Sequence, residues 1–171
     1  MRMEMTGSWE LNGKALNQQF IRYAHAYLSA SRDQCNRMRE KKIDLAWENA
    51  VVAILLATHS AELFLKGAIL SIKPDQKLPG HDLRELTALF NQLAGESIPH
   101  FDNPFESELP EIDEATLKEL RESEVPQSIL YRYPADRYGI EWPGTYALDL
   151  LGFSQILRYL EESYAAIEAR I

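Results

Sequence analysis

The stretch from about Lys42 to Ser71 constrains the fold more than any other part of the chain, because it is apolar on two sides at helical spacing. Trp47, Val51, Ile54, Thr58, Ala61, Leu65, Ala68 and Ile72 form one stripe; Leu45, Val52, Leu56, His59, Leu63, Lys66 and Leu70 form a second. A helix of this kind needs neighbours on both sides, since either stripe left in water is a large apolar patch. The segment therefore predicts the central helix of a bundle, or one shared between a bundle and an oligomer interface.

Other segments supply its neighbours. Leu150, Phe153, Leu157, Leu160, Tyr164, Ile167 and Ile171 fall on one face at alternating three- and four-residue spacing, which predicts a last helix starting near Thr145. At roughly 1.5 to 3 kcal/mol per fully buried side chain, this stripe is a major share of a core. Leu16, Phe20, Tyr23, Tyr27 and Ala30 predict a first helix over about residues 8 to 40, with Ile21, Ala24, Leu28, Ser31, Cys35 and Met38 as a weaker second stripe. A further helix opens at His81-Asp82-Leu83-Arg84-Glu85, where Asp82 and Glu85 have capping-box spacing. Its stripe of Leu83, Leu86, Phe90 and Leu93 stops at Gly95. No stretch alternates with the period of a strand.

Residues 96–144 hold six of the eight prolines, which break helices, so they predict a long irregular connection with a short helix at Asp113–Arg121. Glu106 to Glu124 carries eight acids against Lys118 and Arg121 and reads as a solvated acidic face. The fold class is accordingly all-α: an up-and-down bundle of four to five helices with a long Pro-rich connection before the last one. Residues 1–171 read as one domain, with residues 1–7 flexible.

With 171 residues, the chain buries roughly 70% of its unfolded surface, enough for a core without staples. Cys35 stands alone, which excludes an intramolecular disulfide and a multi-cysteine zinc site and fits a reducing compartment. The net charge of -8 excludes a general nucleic-acid coat but leaves room for a local basic run: Arg32, Arg37, Arg39, Lys41 and Lys42, diluted by Asp33 and Glu40. Met1 to Phe20 has no signal-peptide pattern. The longest apolar run, Ala50 to Ala57, is shorter than the ~18 residues that span a bilayer. The expectation is a cytoplasmic protein with no membrane partner.

Glycine-rich phosphate loops, Gly-x-Ser-x-Gly, His-Glu-x-x-His and Cys-x-x-Cys are all missing from the sequence. His59, Glu62 and Lys66 share a helical face; a metal there would need a further ligand such as His25 or Glu48, whereas Glu62 and Lys66 have the spacing of a favourable ion pair. The reading is no metal and no cofactor. The most unusual local composition runs from Tyr131 to Gly144, with Tyr131, Arg132, Tyr133, Arg137, Tyr138 and Trp142 as candidates to stack bases and pair with phosphate. The competing reading packs these rings onto the bundle.

Ala57-Thr58-His59-Ser60-Ala61-Glu62-Leu63-Phe64-Leu65-Lys66-Gly67-Ala68-Ile69-Leu70, a short turn, and Gly80-His81-Asp82-Leu83-Arg84-Glu85-Leu86 together resemble the HEPN domain family. There a helix with an Ala-Glu-x-x-Leu-Lys-like core precedes a His-Asp-Leu segment opening the next helix. Arg132-Tyr133-Pro134 also looks like a segment of some members. The resemblance covers residues 45–95 and, more loosely, 130–171, with Glu62, Lys66, His81 and Asp82 as its motif residues. It implies a helical bundle commonly assembled as a homodimer and associated with nucleotides or RNA; some members are toxins paired with nucleotidyltransferase-like antitoxins.

Ribonuclease members carry an Arg followed four to six residues later by a His at the start of the last helix. This chain has His only at 25, 59, 81 and 100, none at that spacing from an Arg, so the RNA-cleaving pair is absent. The expected function is a non-catalytic HEPN-like binding or regulatory module, nucleotide- or RNA-associated or paired with a nucleotidyltransferase-like partner. The alternatives are a metal-independent ribonuclease with a non-standard site, and a purely structural homodimeric helical protein.

Overall fold

A computed structural model of the chain describes residues 13–106, 131–135, 138–140 and 147–171. They form four helices: α1 (Leu16–Arg39), α2 (Trp47–Ile72), α3 (Leu83–Ala94) and α4 (Leu150–Glu168). The described residues are an all-helical bundle without strands, as the periodicity predicts. The expected flexible start, the short helix at Asp113–Arg121 and most of the connection ahead of α4 lie outside the described residues.

The tightest seam joins α1 to α2. Asn17 Nδ2 donates to Ser71 Oγ at 2.9 Å, Ser60 Oγ to the Ala24 carbonyl at 2.7 Å, and Ser31 Oγ to the Ala53 carbonyl at 2.7 Å. Numbers fall along α2 as they rise along α1, so the two helices are antiparallel. A serine hydroxyl reaches the neighbouring helix's backbone only when the helices lie close. A Cβ added to Gly67 would stand 2.7 Å from Ile21 Cγ1 and 2.9 Å from the Asn17 carbonyl oxygen.

That closeness reverses one expectation about α1. Its buried residues are Ala24, Leu28, Ser31, Cys35 and Met38, the stripe that is weaker by hydrophobicity. Leu16 and Tyr23 are exposed at 59% and 45%, while Phe20 and Tyr27 pack only partly against the core. Small side chains win the seam because aromatic rings would force the backbones apart. Along α2, every residue from Ser60 to Leu70 is buried, as two apolar stripes require. By length and composition α2 could cross a membrane, but 78% of its most apolar window is buried within the bundle, which is the pattern of a core helix.

α4 begins later than Thr145. Residues 147–149 are not helical, and Asp149 Oδ1 accepts the Leu151 N–H at 3.0 Å, capping the first turn. Phe153, Leu157, Leu160, Tyr164 and Ile167 are buried as the stripe predicts, whereas Ile171 lies past the helix end and is 38% exposed. Tyr164 stacks on Phe64 with centroids 3.8 Å apart, and its hydroxyl lies 3.1 Å from Ser60 Oγ. Burial pushes the Tyr164 phenol well above its ordinary pKa. Arg32 pairs with Glu161 at 2.9 Å and His25 with Glu168 at 2.6 Å, which sets α4 antiparallel to α1.

Asp82 caps α3 by accepting the Arg84 N–H at 2.8 Å, and the helix ends at Gly95, whose φ of 57° suits a residue without Cβ. Beyond it, Phe101 is fully buried, so the stretch expected to be irregular contributes a core residue. The Asn91 amide accepts the Phe101 N–H at 2.8 Å and donates to its carbonyl at 2.9 Å. The Tyr159 hydroxyl is 3.1 Å from both the Asp102 N–H and its carbonyl.

Phe153→Ala is expected to cost ~3 to 5 kcal/mol in urea unfolding, as deletion of a buried ring does. Gly67→Ala tests the seam. Overpacking typically costs about 1 to 3 kcal/mol, against a helix-propensity gain of ~1 kcal/mol, so the unfolding midpoint should fall. A raised midpoint would mean that α1 and α2 do not approach so closely.

Candidate functional site

Burying a carboxylate is costly unless it is paired and hydrogen-bonded. Glu62, in the middle of the buried half of α2, is only 4% exposed, so its partners define the polar centre of the bundle. Lys66, one turn on, donates from Nζ to Glu62 Oε1 at 2.8 Å and is itself 9% exposed. His81, just ahead of α3, places Nδ1 2.8 Å from the same oxygen, with most of its side chain in solvent. His59 Nδ1 lies 3.6 Å from Glu62 Oε2, beyond hydrogen-bond range, and is buried with no hydrogen-bond partner. Its ring meets Tyr27 of α1 edge-on, with centroids 4.7 Å apart.

Burial alone would raise the Glu62 pKa. The contacts from His59, Lys66 and His81, together with the Lys66 charge, outweigh it and bring the pKa down to about 2. A carboxylate held this way is a poor proton acceptor at neutral pH, because it gains its proton only in strong acid. It does pin the start of α3 to the centre of α2.

The structure thus brings three of the four motif residues, Glu62, Lys66 and His81, into one cluster and adds His59. Asp82 stands apart from that cluster, capping α3 and holding Arg84 at 3.1 Å. His25, weighed as a metal partner for His59, pairs with Glu168 instead. No set of three or more His, Cys, Asp or Glu side chains among the described residues is arranged to hold a metal. The one cysteine, Cys35, is buried; burial pushes its thiol up to about 11 against the opposing charge of Arg39, so it is not a reactive nucleophile.

The aromatic segment divides. Tyr131 is partly buried and packs against the core, while Arg132 is exposed and Tyr133 and Tyr138 are exposed at 54% and 72%. Arg137 and Trp142 lie outside the described residues. The sequence pattern does not reveal the link between His81 and Glu62, which crosses the turn between α2 and α3. Its one signal is an acid set in an otherwise apolar helix, which must find more than one partner. Comparison with protein-family models, with curated proteins and with solved structures finds no match.

Removing the carboxylate leaves the Lys66 ammonium buried, so Glu62→Gln is expected to cost about 3 to 5 kcal/mol, and Glu62→Leu/Lys66→Met less than that single change. The pH dependence has a fixed sign. A carboxyl with a depressed pKa contributes stability that is complete above its unfolded value, near 4.5, and is lost as pH falls towards 2. The stability gap between wild type and Glu62→Gln should therefore narrow from pH 5 to pH 2; a gap that widened in acid would contradict the ionised cluster.

Proposed function

We propose that this protein is a non-catalytic, HEPN-like binding module that forms a homodimer and associates with a nucleotide or RNA, or with a nucleotidyltransferase-like partner. The observation that carries the reading is the pairing of a locked polar centre with an outward aromatic segment. Glu62 is committed to Lys66 and His81 inside the bundle, which disfavours a catalytic role. Arg132, Tyr133 and Tyr138 are all exposed, and they are residue types that stack on bases and pair with phosphate. Tyr131, at the start of this segment, is packed on the core. Exposed Tyr23, Leu45 and Val52 around the α1–α2 hairpin supply apolar surface for a second copy.

The test is a thermal-shift and calorimetric screen of nucleotides and short RNAs against wild type and Tyr133→Ala/Tyr138→Ala. Ligand at 100 times its Kd stabilises by ~2.7 kcal/mol, a rise of several degrees for a chain of this size. The expected result is a shift that the double variant loses while its own unfolding temperature stays near that of wild type. No shift with any nucleotide or RNA would remove the ligand from the reading. Light scattering at tens of micromolar is expected to give the mass of a dimer, and a monomer would contradict the assembly.

A further inference from the structure

The four histidines, His25, His59, His81 and His100, all lie among the described residues, and their ring nitrogens are disposed differently. His25 Nε2 donates to Glu168 Oε1 at 2.6 Å and His100 Nε2 to the Gly95 carbonyl at 3.1 Å. His59 is only 27% exposed, with its ring against Tyr27 and its Nδ1 buried. His81 joins two features that the others do not combine: its Nδ1 is held 2.8 Å from Glu62 Oε1, and its side chain is 66% exposed. Among the described residues, no hydrogen bond reaches its Nε2.

That arrangement sets where the His81 proton sits. An ionised carboxylate only accepts, so the neutral imidazole donates from Nδ1 and carries its lone pair on Nε2. Glu62 is ionised at neutral pH, held down to about 2 by its contacts. The ring is therefore fixed with its less hindered nitrogen, the one farther from the backbone, unprotonated and exposed. Positive charge that develops on the ring when Nε2 forms a bond is stabilised by the carboxylate behind it. An unbalanced Glu62 would repel an anionic reagent, but Lys66 Nζ lies 2.8 Å from the same oxygen and offsets its charge.

An exposed imidazole lone pair can ligate a metal, take a proton from a bound substrate or attack an electrophile. A metal needs further ligands, and no set of three or more His, Cys, Asp or Glu side chains among the described residues supplies them. Proton transfer needs a site that positions the substrate, and the cleft beside α3 is lined by Thr87, Asn91, Asp102 and Asn103, not by His81. Attack on a small electrophile needs only the lone pair, the carboxylate behind it and access. Of the small groups such a nitrogen takes up, an acyl group is lost readily to water, whereas a phosphoryl group persists at neutral and alkaline pH.

We propose that His81 is a phosphoryl-acceptor site, taking the phosphoryl group of a small acyl phosphate on Nε2, with Glu62 as the positioning residue. The Nε2 lone pair forms the N–P bond as the P–O bond to the acyl group breaks, and the departing carboxylate keeps that electron pair. No proton moves: the Nδ1–H stays on the ring and on its hydrogen bond to Glu62. The product sets a strongly anionic group just ahead of α3 on the exposed side of the ring, which changes what that surface attracts while the joint beneath it holds. The inference is independent of the RNA-associated reading.

The experiment incubates the intact protein with acetyl phosphate, follows the product by phosphorus-31 NMR and locates it by tandem mass spectrometry. The expected result is Nε2-phosphohistidine at His81, formed several-fold faster than at His25 or His100. In Glu62→Gln the rate at His81 should fall to that of His100. Because this variant loses stability, Glu62→Leu/Lys66→Met is the second test, expected to fold and to lose the same rate advantage. A long-range proton–nitrogen-15 spectrum of the unmodified protein is expected to show His81 protonated on Nδ1. Equal rates at His81, His25 and His100, a rate at His81 unchanged in both carboxylate-free variants, an Nε2–H tautomer at His81, or no histidine product would each overturn the proposal.

Discussion

A carboxylate in the buried middle of a helix must be neutralised on the spot, and the way Glu62 meets that demand organises the rest of the molecule. Lys66 supplies charge from the next turn of the same helix, and His81 reaches in from the start of α3. The ion cluster therefore serves as a joint between two helices. Because Lys66 and His81 converge on a single oxygen, removing either leaves the other with a changed partner, so the effects of the two should not add. The cluster occupies the polar core and leaves the surface elements to make any contact with a ligand.

Around that centre the bundle is assembled by two different devices. The α1–α2 seam depends on smallness, with Gly67, Ala24, Ala53, Ser31 and Ser60 letting two backbones approach until serine hydroxyls reach carbonyls on the opposite helix. α4 depends on size instead, with Tyr164 laid flat on Phe64 and its hydroxyl satisfied by Ser60. Ser60 bonds to both α1 and α4, so one small polar side chain fixes the relative position of three helices. The exposed tyrosines ahead of α4, Tyr133 and Tyr138, are carried on this frame.

Much of this is legible in the residues, and where it is not the reasons are physical. The α4 stripe and the stop at Gly95 follow from periodicity and from the one residue that takes a positive φ freely. Periodicity points to the wrong face of α1 because hydrophobicity ranks Phe20, Tyr23 and Tyr27 above Ala24, Ser31 and Cys35, whereas a close seam selects by volume. The burial of Phe101 has no sequence signal, because it depends on Asn91 clamping its backbone across a turn, a contact without helical period. At the candidate site, the Glu62–Lys66 pair is readable from its spacing alone. His81 is not, since its contact needs the turn to fold back, and neither is the division of the tyrosines into a packed Tyr131 and exposed Tyr133 and Tyr138.

The most direct measurement is a carbon-13 NMR titration of the Glu62 side-chain carboxyl in the intact protein, assigned by comparison with Glu62→Gln. A carboxyl held by Lys66 and His81 is expected to stay ionised well below the ordinary glutamate range, with its midpoint near 2 or masked by acid unfolding. A midpoint at or above 4.5 would contradict it. Glu62 would then be a loosely held acid available for proton transfer, and both the joint between α2 and α3 and the non-catalytic reading would fall together.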